Sequence, residues 1–173
     1  MRKDNDVLYN LIQKLDEKLN FSTVSAHCDI PCKIYDPIHA QLAVLTMIRM
    51  VDLINELQEK SELSLSDQAQ FLRLVSQKEE HGIKVKKEIT VIWGDFIKAP
   101  QLEKFPEIHQ LVHSIMLAAS SAKQHINKEA TLSLLAKVNR FSEIFWQCKG
   151  FETYTAQCPY PPEQNLIYPV LTL

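Results

Sequence analysis

Residues 127–150 read NKEATLSLLAKVNRFSEIFWQCKG, and they carry the signals of one complete amphipathic helix. Asn127 belongs to the residue types that cap helix N-termini. Lys149 followed by Gly150, a cation and then a glycine, is typical of a helix C-terminus. Apolar residues recur between these two ends at helical spacing. They are Leu132, Leu134, Leu135, Val138, Phe141, Ile144, Phe145 and Trp146. The stretch therefore predicts a helix whose apolar face must be covered by other elements.

Two earlier segments show the same periodicity and are also predicted to be helices. The first begins at Asp36-Pro37, where an N-cap acceptor precedes a proline in the first turn, and it extends to about Lys60. The second is capped by Ser66 or a neighbour and continues to about Phe96. Both contain apolar residues at helical spacing, so both are expected to share one core with the last helix.

Glycine and proline divide the middle of the chain. Gly82 is interpreted as a soft spot within the second helix. Ala99-Pro100 is expected to end that helix, because proline disfavours a helical residue before it. A third helix starts with Pro106 in its first turn. Four helices with short connections predict an all-α protein folded as an antiparallel four-helix bundle.

The composition agrees with one ordinary domain. The chain has 173 residues, of which 46% are hydrophobic, and only three are glycines. Its formal net charge of −2 does not suggest a nucleic acid or an acidic membrane as a partner. No apolar run approaches the ~20 residues that cross a bilayer. Four cysteines are not a disulfide framework at this length, so Cys148 and Cys158 are expected to be free or structural thiols. The alternative is a local disulfide near the C-terminus, which a reducing cytosol disfavours.

The chemistry is concentrated in residues 27–35, which read HCDIPCKIY. Two thiols and an imidazole suit a late first-row metal rather than Mg²⁺ or Ca²⁺. His27 and Cys28 are adjacent, so both reach one metal only if the main chain curls around it, and a main-chain nitrogen then becomes a possible donor. A planar set of two nitrogens and two sulfurs favours Ni(II) or Cu(II) over tetrahedral Zn(II). Pro31 removes an N–H and stiffens the loop between Cys28 and Cys32.

This segment resembles the nickel hook of the nickel-dependent superoxide dismutases, whose pattern is His-Cys-Asp-x-Pro-Cys-x-x-Tyr with Asp-Pro after it. The resemblance implies that nickel is bound by the amine and imidazole of His27, the amide nitrogen and thiolate of Cys28, and the thiolate of Cys32. The histidine is the first residue of the mature protein in that family. The resemblance therefore also implies proteolytic cleavage after Ala26.

Two further blocks resemble the same family. Residues 92–111 contain its Trp-x-Asp-aromatic run and its Glu-Lys-aromatic-Pro-Glu-x-His-Gln-Leu sequence, and Ile144-Phe145-Trp146 with Lys149 matches its last helix. The resemblance covers about residues 27–150. It implies a four-helix bundle with an N-terminal metal-binding hook, assembled as a homohexamer.

Residues 1–26 and 151–173 lie outside the resemblance. Residues 1–26 combine helical periodicity with a small-residue linker, and we interpret them as a leader removed by a protease, because an internal His27 has no free amine. The alternative is a permanent N-terminal helix. The leader lacks the features of a secretory signal or a transit peptide, which favours the cytoplasm. Residues 151–173 contain four prolines and are expected to form an irregular strap across the bundle or a neighbouring subunit.

The resemblance implies disproportionation of superoxide to dioxygen and hydrogen peroxide by an antioxidant oxidoreductase that cycles between Ni(II) and Ni(III). We predict Tyr35 and Asp29 as the catalytic residues: the phenol orders small anions or water, and the carboxylate shapes the pocket. Neither is assigned as the proton donor.

This chain departs from the familiar family members at three positions. Lys33 stands where they have glycine. A glutamate and an arginine that support the imidazole in the best-known members align with Ala43 and His81. The carboxylate support is therefore absent. His81 is the predicted hydrogen-bond partner of the imidazole, and Pro31 is the predicted support of the loop.

Two other function classes compete with the enzyme. One is a nickel- or copper-binding protein without turnover, built on the same bundle. The other is a dithiol redox protein that uses Cys28 and Cys32, although their three-residue spacer departs from Cys-x-x-Cys. His109 and His113 have i, i+4 spacing on one helix, but no third ligand is evident, so we interpret them as surface or interface histidines.

Overall fold

The computed structural model describes residues 33–171, and every structural statement below refers to that part of the chain. It contains four long helices, one short helix and a two-stranded sheet, with a single π-helical turn, Ile92–Phe96 (the π turn), after the second long helix. The helices are α1 (Ile38–Gln58), α2 (Leu65–Val91), α3 (Ala99–Lys104), α4 (Ile108–Gln124) and α5 (Lys128–Cys148), and the strands are β1 (Thr153–Gln157) and β2 (Asn165–Pro169).

Polar side chains accept hydrogen bonds from backbone N–H groups at the starts of α1, α2 and α5. Asp36 accepts a hydrogen bond from the N–H of Ile38 at 2.8 Å, which confirms the predicted start of α1. Ser64 caps α2: its hydroxyl accepts from the N–H of Asp67, whose carboxylate accepts in turn from the N–H of Ser64. This capping box lies two residues before the Ser66 named in the sequence prediction.

The fourth long helix has the predicted ends. The side chain of Asn127 accepts a hydrogen bond from the N–H of Ala130 at 2.9 Å. At the other end Gly150 has φ of 84°, the left-handed conformation that glycine adopts without steric cost. The helix between them, α5, spans Lys128–Cys148 as the periodicity predicts.

The four long helices bury one continuous core. Helix α1 packs against α2 and α5, and α4 packs against the same two helices, which confirms the antiparallel four-helix bundle. Helix α1 is also long and apolar enough to cross a membrane by length and composition alone, so the prediction that no run approaches that length was wrong. Half of that apolar window is buried inside the bundle, where α1 supplies core residues such as Val44, Met47, Ile48 and Val51.

Gly82 is a close-packing residue and not a soft spot. Helix α2 continues through it without a break, and the glycine is buried. A Cβ at this position would lie 2.2 Å from Cγ of Lys123 and 3.2 Å from Cε of Met47. Glycine is therefore required because α1, α2 and the end of α4 approach one another closely here.

The end of α2 also differs from the prediction at Ala99-Pro100. The helix changes into the π turn, in which the N–H of Ile97 donates to the carbonyl of Ile92 at 3.3 Å. Pro100 then lies in the first turn of α3. Since the first turn of a helix does not use its N–H groups, proline here begins a short helix and does not only end a long one.

The tail is a small sheet, so the prediction of an irregular segment was wrong in that detail. Strands β1 and β2 pair antiparallel with Tyr154 opposite Tyr168. The predicted strap across the bundle is confirmed: Leu166 is fully buried, and Gln41 of α1 donates its side-chain N–H to the carbonyl of Ile167 at 3.2 Å. Asn139 of α5 donates to the carbonyl of Asn165 at 2.8 Å. Two helices therefore bind β2 through its backbone.

Candidate metal centre

The predicted site residues divide between two parts of the chain. Tyr35 and His81 are described by the structure. The remaining predicted residues lie outside the described residues: His27, Cys28, Asp29, Pro31 and Cys32. The described structure therefore shows the surroundings of Tyr35 and His81 alone among the predicted site residues.

Tyr35 packs against the core of the bundle. Its half-buried ring packs against the core, with its centroid 6.2 Å from that of Phe96 in the π turn. Phe96 packs in turn on Phe145 of α5 at 4.9 Å. The ammonium of Lys149 lies 5.7 Å from the centroid of Phe96 and 5.2 Å from that of Phe145, which places a cation over both rings. Sequence reasoning assigned no role to this stack, because its members are far apart in the chain.

Lys33 keeps the backbone of a glycine. Its φ is 58°, in the left-handed region that residues with a Cβ avoid. A lysine in this conformation carries strain of roughly 1–2 kcal/mol that glycine would not carry. The departure at Lys33 therefore adds a charged side chain at a position whose backbone conformation glycine would adopt without strain.

His81 is half-buried in the middle of α2, ten residues before its end at Val91. Its Nδ1 lies 2.8 Å from the carbonyl oxygen of Gln77. A carbonyl only accepts, so Nδ1 must carry the hydrogen, and Nε2 of the neutral ring is then an acceptor for a further partner. Ala43, the other departure, is a buried core residue and supplies no polar group.

Within residues 33–171 no three histidine, cysteine or acidic side chains come together as a metal site. His109 and His113 are both exposed, and Nδ1 of His109 accepts a hydrogen bond from the indole Nε1–H of Trp93 at 3.0 Å. The interpretation of these two as surface histidines is confirmed. The contact between Trp93 and His109 was not found from the sequence, since an indole and an imidazole in separate helices give no local pattern.

The two cysteines of the described chain are free thiols, as predicted. Burial raises the pKa of the Cys148 thiol, and the nearby charge of Lys104 opposes this only in part. Cys158 is buried, and its Sγ lies 3.2 Å from the carbonyl oxygen of Tyr160. Burial therefore makes the Cys148 thiol a poorer nucleophile and a poorer metal ligand than an exposed thiol.

The helical bundle and the thiolate-rich donor set define a metalloprotein of the all-α class. A family model described as nickel-containing superoxide dismutase matches residues 22–149. The chain is 34% identical over 128 residues to a nickel superoxide dismutase of Streptomyces coelicolor, which covers 73% of this chain and 91% of that protein. It is 32% identical over 127 residues to the corresponding protein of Streptomyces seoulensis, which covers 73% of this chain and 90% of that protein.

Solved structures agree with these relatives. The native structure of a nickel superoxide dismutase superposes with a TM-score of 0.62 at 29% identity, and the match covers 71% of this chain and 99% of that one. A structure with the nickel ligation of the oxidised state gives a TM-score of 0.62 at 28% identity, over 72% of this chain and 99% of that one. The chain belongs to the nickel-containing superoxide dismutase family. This confirms the fold class, the oxidoreductase class and the nickel cofactor predicted from the sequence.

Proposed function

We propose that this chain converts superoxide to dioxygen and hydrogen peroxide at a nickel site held by residues 27–35. The observation that carries the proposal is the family match over residues 22–149, which includes the whole hook. The donor set fits the metal: His27, Cys28 and Cys32 supply an imidazole and two thiolates, to which an amine and an amide nitrogen are added. Bound nickel supplies electron exchange between Ni(II) and Ni(III), because thiolate and amide donors stabilise the higher oxidation state.

The chain contributes the groups that position the reactants around the metal. Tyr35 is proposed to order superoxide or water, and its ring contact with Phe96 limits where the phenol can lie. Asp29 is proposed to shape the pocket and Pro31 to stiffen the loop. His81 is proposed as a support of the His27 imidazole, since its Nε2 is available as an acceptor for an imidazole N–H.

The free amine of His27 requires processing. We propose that residues 1–26 are a leader removed by a protease, that 27–150 form the nickel-binding bundle, and that 151–173 are an extension beyond the family match. A homohexamer would shield the hooks, and exposed apolar side chains such as Leu72 and Ile83 are available for subunit contacts. The cytoplasm suits a site that depends on reduced cysteines.

The proposal is tested with a chain engineered to begin at His27, loaded with Ni(II), beside the uncleaved chain under the same loading. We expect superoxide dismutation by the trimmed chain alone, because only that chain has the α-amine ligand. Inactivity of both chains, with bound nickel shown by metal analysis, would contradict the enzyme and leave a nickel- or copper-binding protein. Equal activity of both would contradict the role of the leader.

His81→Ala in the trimmed chain tests the imidazole support. Loss of a group that orients a ligating histidine costs about 10–100-fold in activity or metal affinity, so we expect at least the lower end of that range. The nickel absorption spectrum should shift as well. His125→Ala is the matched control, because His125 makes the same contact through Nδ1 to the carbonyl of Ser121 one turn earlier. Unchanged activity and an unchanged spectrum for His81→Ala would remove His81 from the site.

A further inference from the structure

The π turn positions the ring of Phe96 beside that of Tyr35. Ile92 and Ile97 are five positions apart and are both buried, because a π-helical turn keeps residues at this spacing on one face. Phe96, beside Ile97, is then directed to the edge of the core where Tyr35 lies. Turns of this kind are rare and occur frequently at functional sites, so we ask which contacts hold this one beside Tyr35.

Besides the packing of Phe96 on Phe145, two side-chain hydrogen bonds hold the π turn. The ammonium of Lys98 donates to the carbonyl of Gly94 at 2.8 Å, which satisfies an acceptor within the turn itself. The indole Nε1–H of Trp93 donates to Nδ1 of His109 at 3.0 Å, and the two rings meet edge to face with centroids 5.7 Å apart. Of these two, only the Trp93–His109 contact ties the turn to another helix, α4.

We propose that Trp93 and His109 are positioning residues for Tyr35, which act through the π turn and Phe96. The chain of contacts is continuous: His109 binds Trp93, Trp93 and Phe96 belong to one helical turn, and the Phe96 ring faces the Tyr35 ring. The proposal rests on the dismutase function proposed above, because it assigns Tyr35 a position that matters for turnover.

The chemistry of the contact selects the test variants. Trp93 donates, so residue 109 must present an acceptor, and Nδ1 of His109 does so when the ring hydrogen is on Nε2. His109→Leu removes the acceptor at similar volume. His109→Asn keeps an acceptor at a comparable distance from the backbone, and it should restore the contact. His113→Leu is the matched control, since it removes an exposed histidine one turn further along the same helix.

The first measurement is geometric and does not need activity. In the full chain, proton NMR should show contacts between the Tyr35 and Phe96 rings and a Trp93 indole N–H that exchanges slowly with solvent. We expect His109→Leu to weaken the ring contacts and to speed indole exchange, while His109→Asn and His113→Leu leave both unchanged. Intact ring contacts in His109→Leu would overturn the proposal whether or not the protein is a dismutase.

The second measurement is the dismutation rate constant of the nickel-loaded chain that begins at His27. We expect His109→Leu to lower it about tenfold, the lower end of the cost of losing an outer support of a metal site, and His109→Asn to restore it. In a Tyr35→Phe background His109→Leu should have no further effect, because a positioning residue acts through the phenol. Additive losses, or a rate in His109→Asn as low as in His109→Leu, would overturn the proposal. An inactive parent chain would instead contradict the proposed function, and the NMR result would still decide the positioning.

Discussion

Cys32→Ser in a chain that begins at His27 is expected to abolish dismutation and the thiolate-to-nickel absorption bands. Loss of an outer support costs about 10–100-fold, so loss of a ligand itself should exceed that range. Serine is nearly isosteric with cysteine, but a hydroxyl is a hard donor that stays protonated near neutral pH. It cannot push electron density onto the metal as a thiolate does. The loss should therefore appear in the spectrum and the rate together.

Cys148→Ser supplies the matched control for this prediction. Cys148 is half-buried at the end of α5, and burial raises the pKa of its thiol, so it does not compete for nickel as a thiolate. We expect wild-type nickel content and rate from this variant. Dismutation by Cys32→Ser within a factor of about two of the parent would contradict the assigned ligand set, since a lost thiolate cannot be that mild. Loss of activity in Cys148→Ser would show that a second thiol takes part.

The helices and their ends could be predicted because their signals are local. Asn127 and Asp36 cap their own helices, and periodicity over about three turns separates a helix from a strand. The hook could be predicted for the same reason, because its donors are close together in the chain. Metal binding by residues 27–32 remains a prediction, and it rests on the types of donor that these residues supply.

Features that depend on distant partners could not be predicted. Gly82 looks like a weakness in an isolated helix, and only the side chain of Lys123 on another helix shows why it must be glycine. The strands of the tail are short, and three prolines lie between them. The sheet is held to the bundle by the side-chain amides of Gln41 and Asn139, which come from helices earlier in the chain. The stack under Tyr35 likewise joins α5 to the π turn.

Lys78 has an unusual position that the sequence does show, although its partners on another helix could not be predicted. It lies on the buried stripe of α2, four residues after Leu74 and four before Gly82. A lysine on such a stripe is rare unless its charge is paired or hydrogen-bonded. The structure supplies the partners: Nζ donates to the carbonyls of Ala122, Lys123 and His125, where α4 ends.

Lys78→Met is expected to lower the free energy of unfolding by about 2–3 kcal/mol, because it removes three hydrogen bonds of the ammonium and leaves the buried carbonyl of Ala122 without this donor. The positive charge of Lys78 also interacts favourably with the negative, C-terminal end of the α4 dipole, and methionine lacks this charge. Methionine fills a similar volume, so a cavity adds little. Denaturant unfolding of the full chain measures the change, and faster amide exchange at residues 121–125 should accompany it.

Lys86→Met separates this effect from the general loss of a lysine on α2. Lys86 is half-buried two turns later and donates a single hydrogen bond to Oγ of Ser120 at 2.5 Å, so we expect a loss below about 1 kcal/mol.

Burial lowers the pKa of Lys78, which means that desolvation of its ammonium opposes folding. If Lys78→Met is as stable as the parent, that desolvation cost cancels all three hydrogen bonds. A loss confined to Lys78→Met would instead show that the buried ammonium fastens α4 to α2, beside the close approach at Gly82.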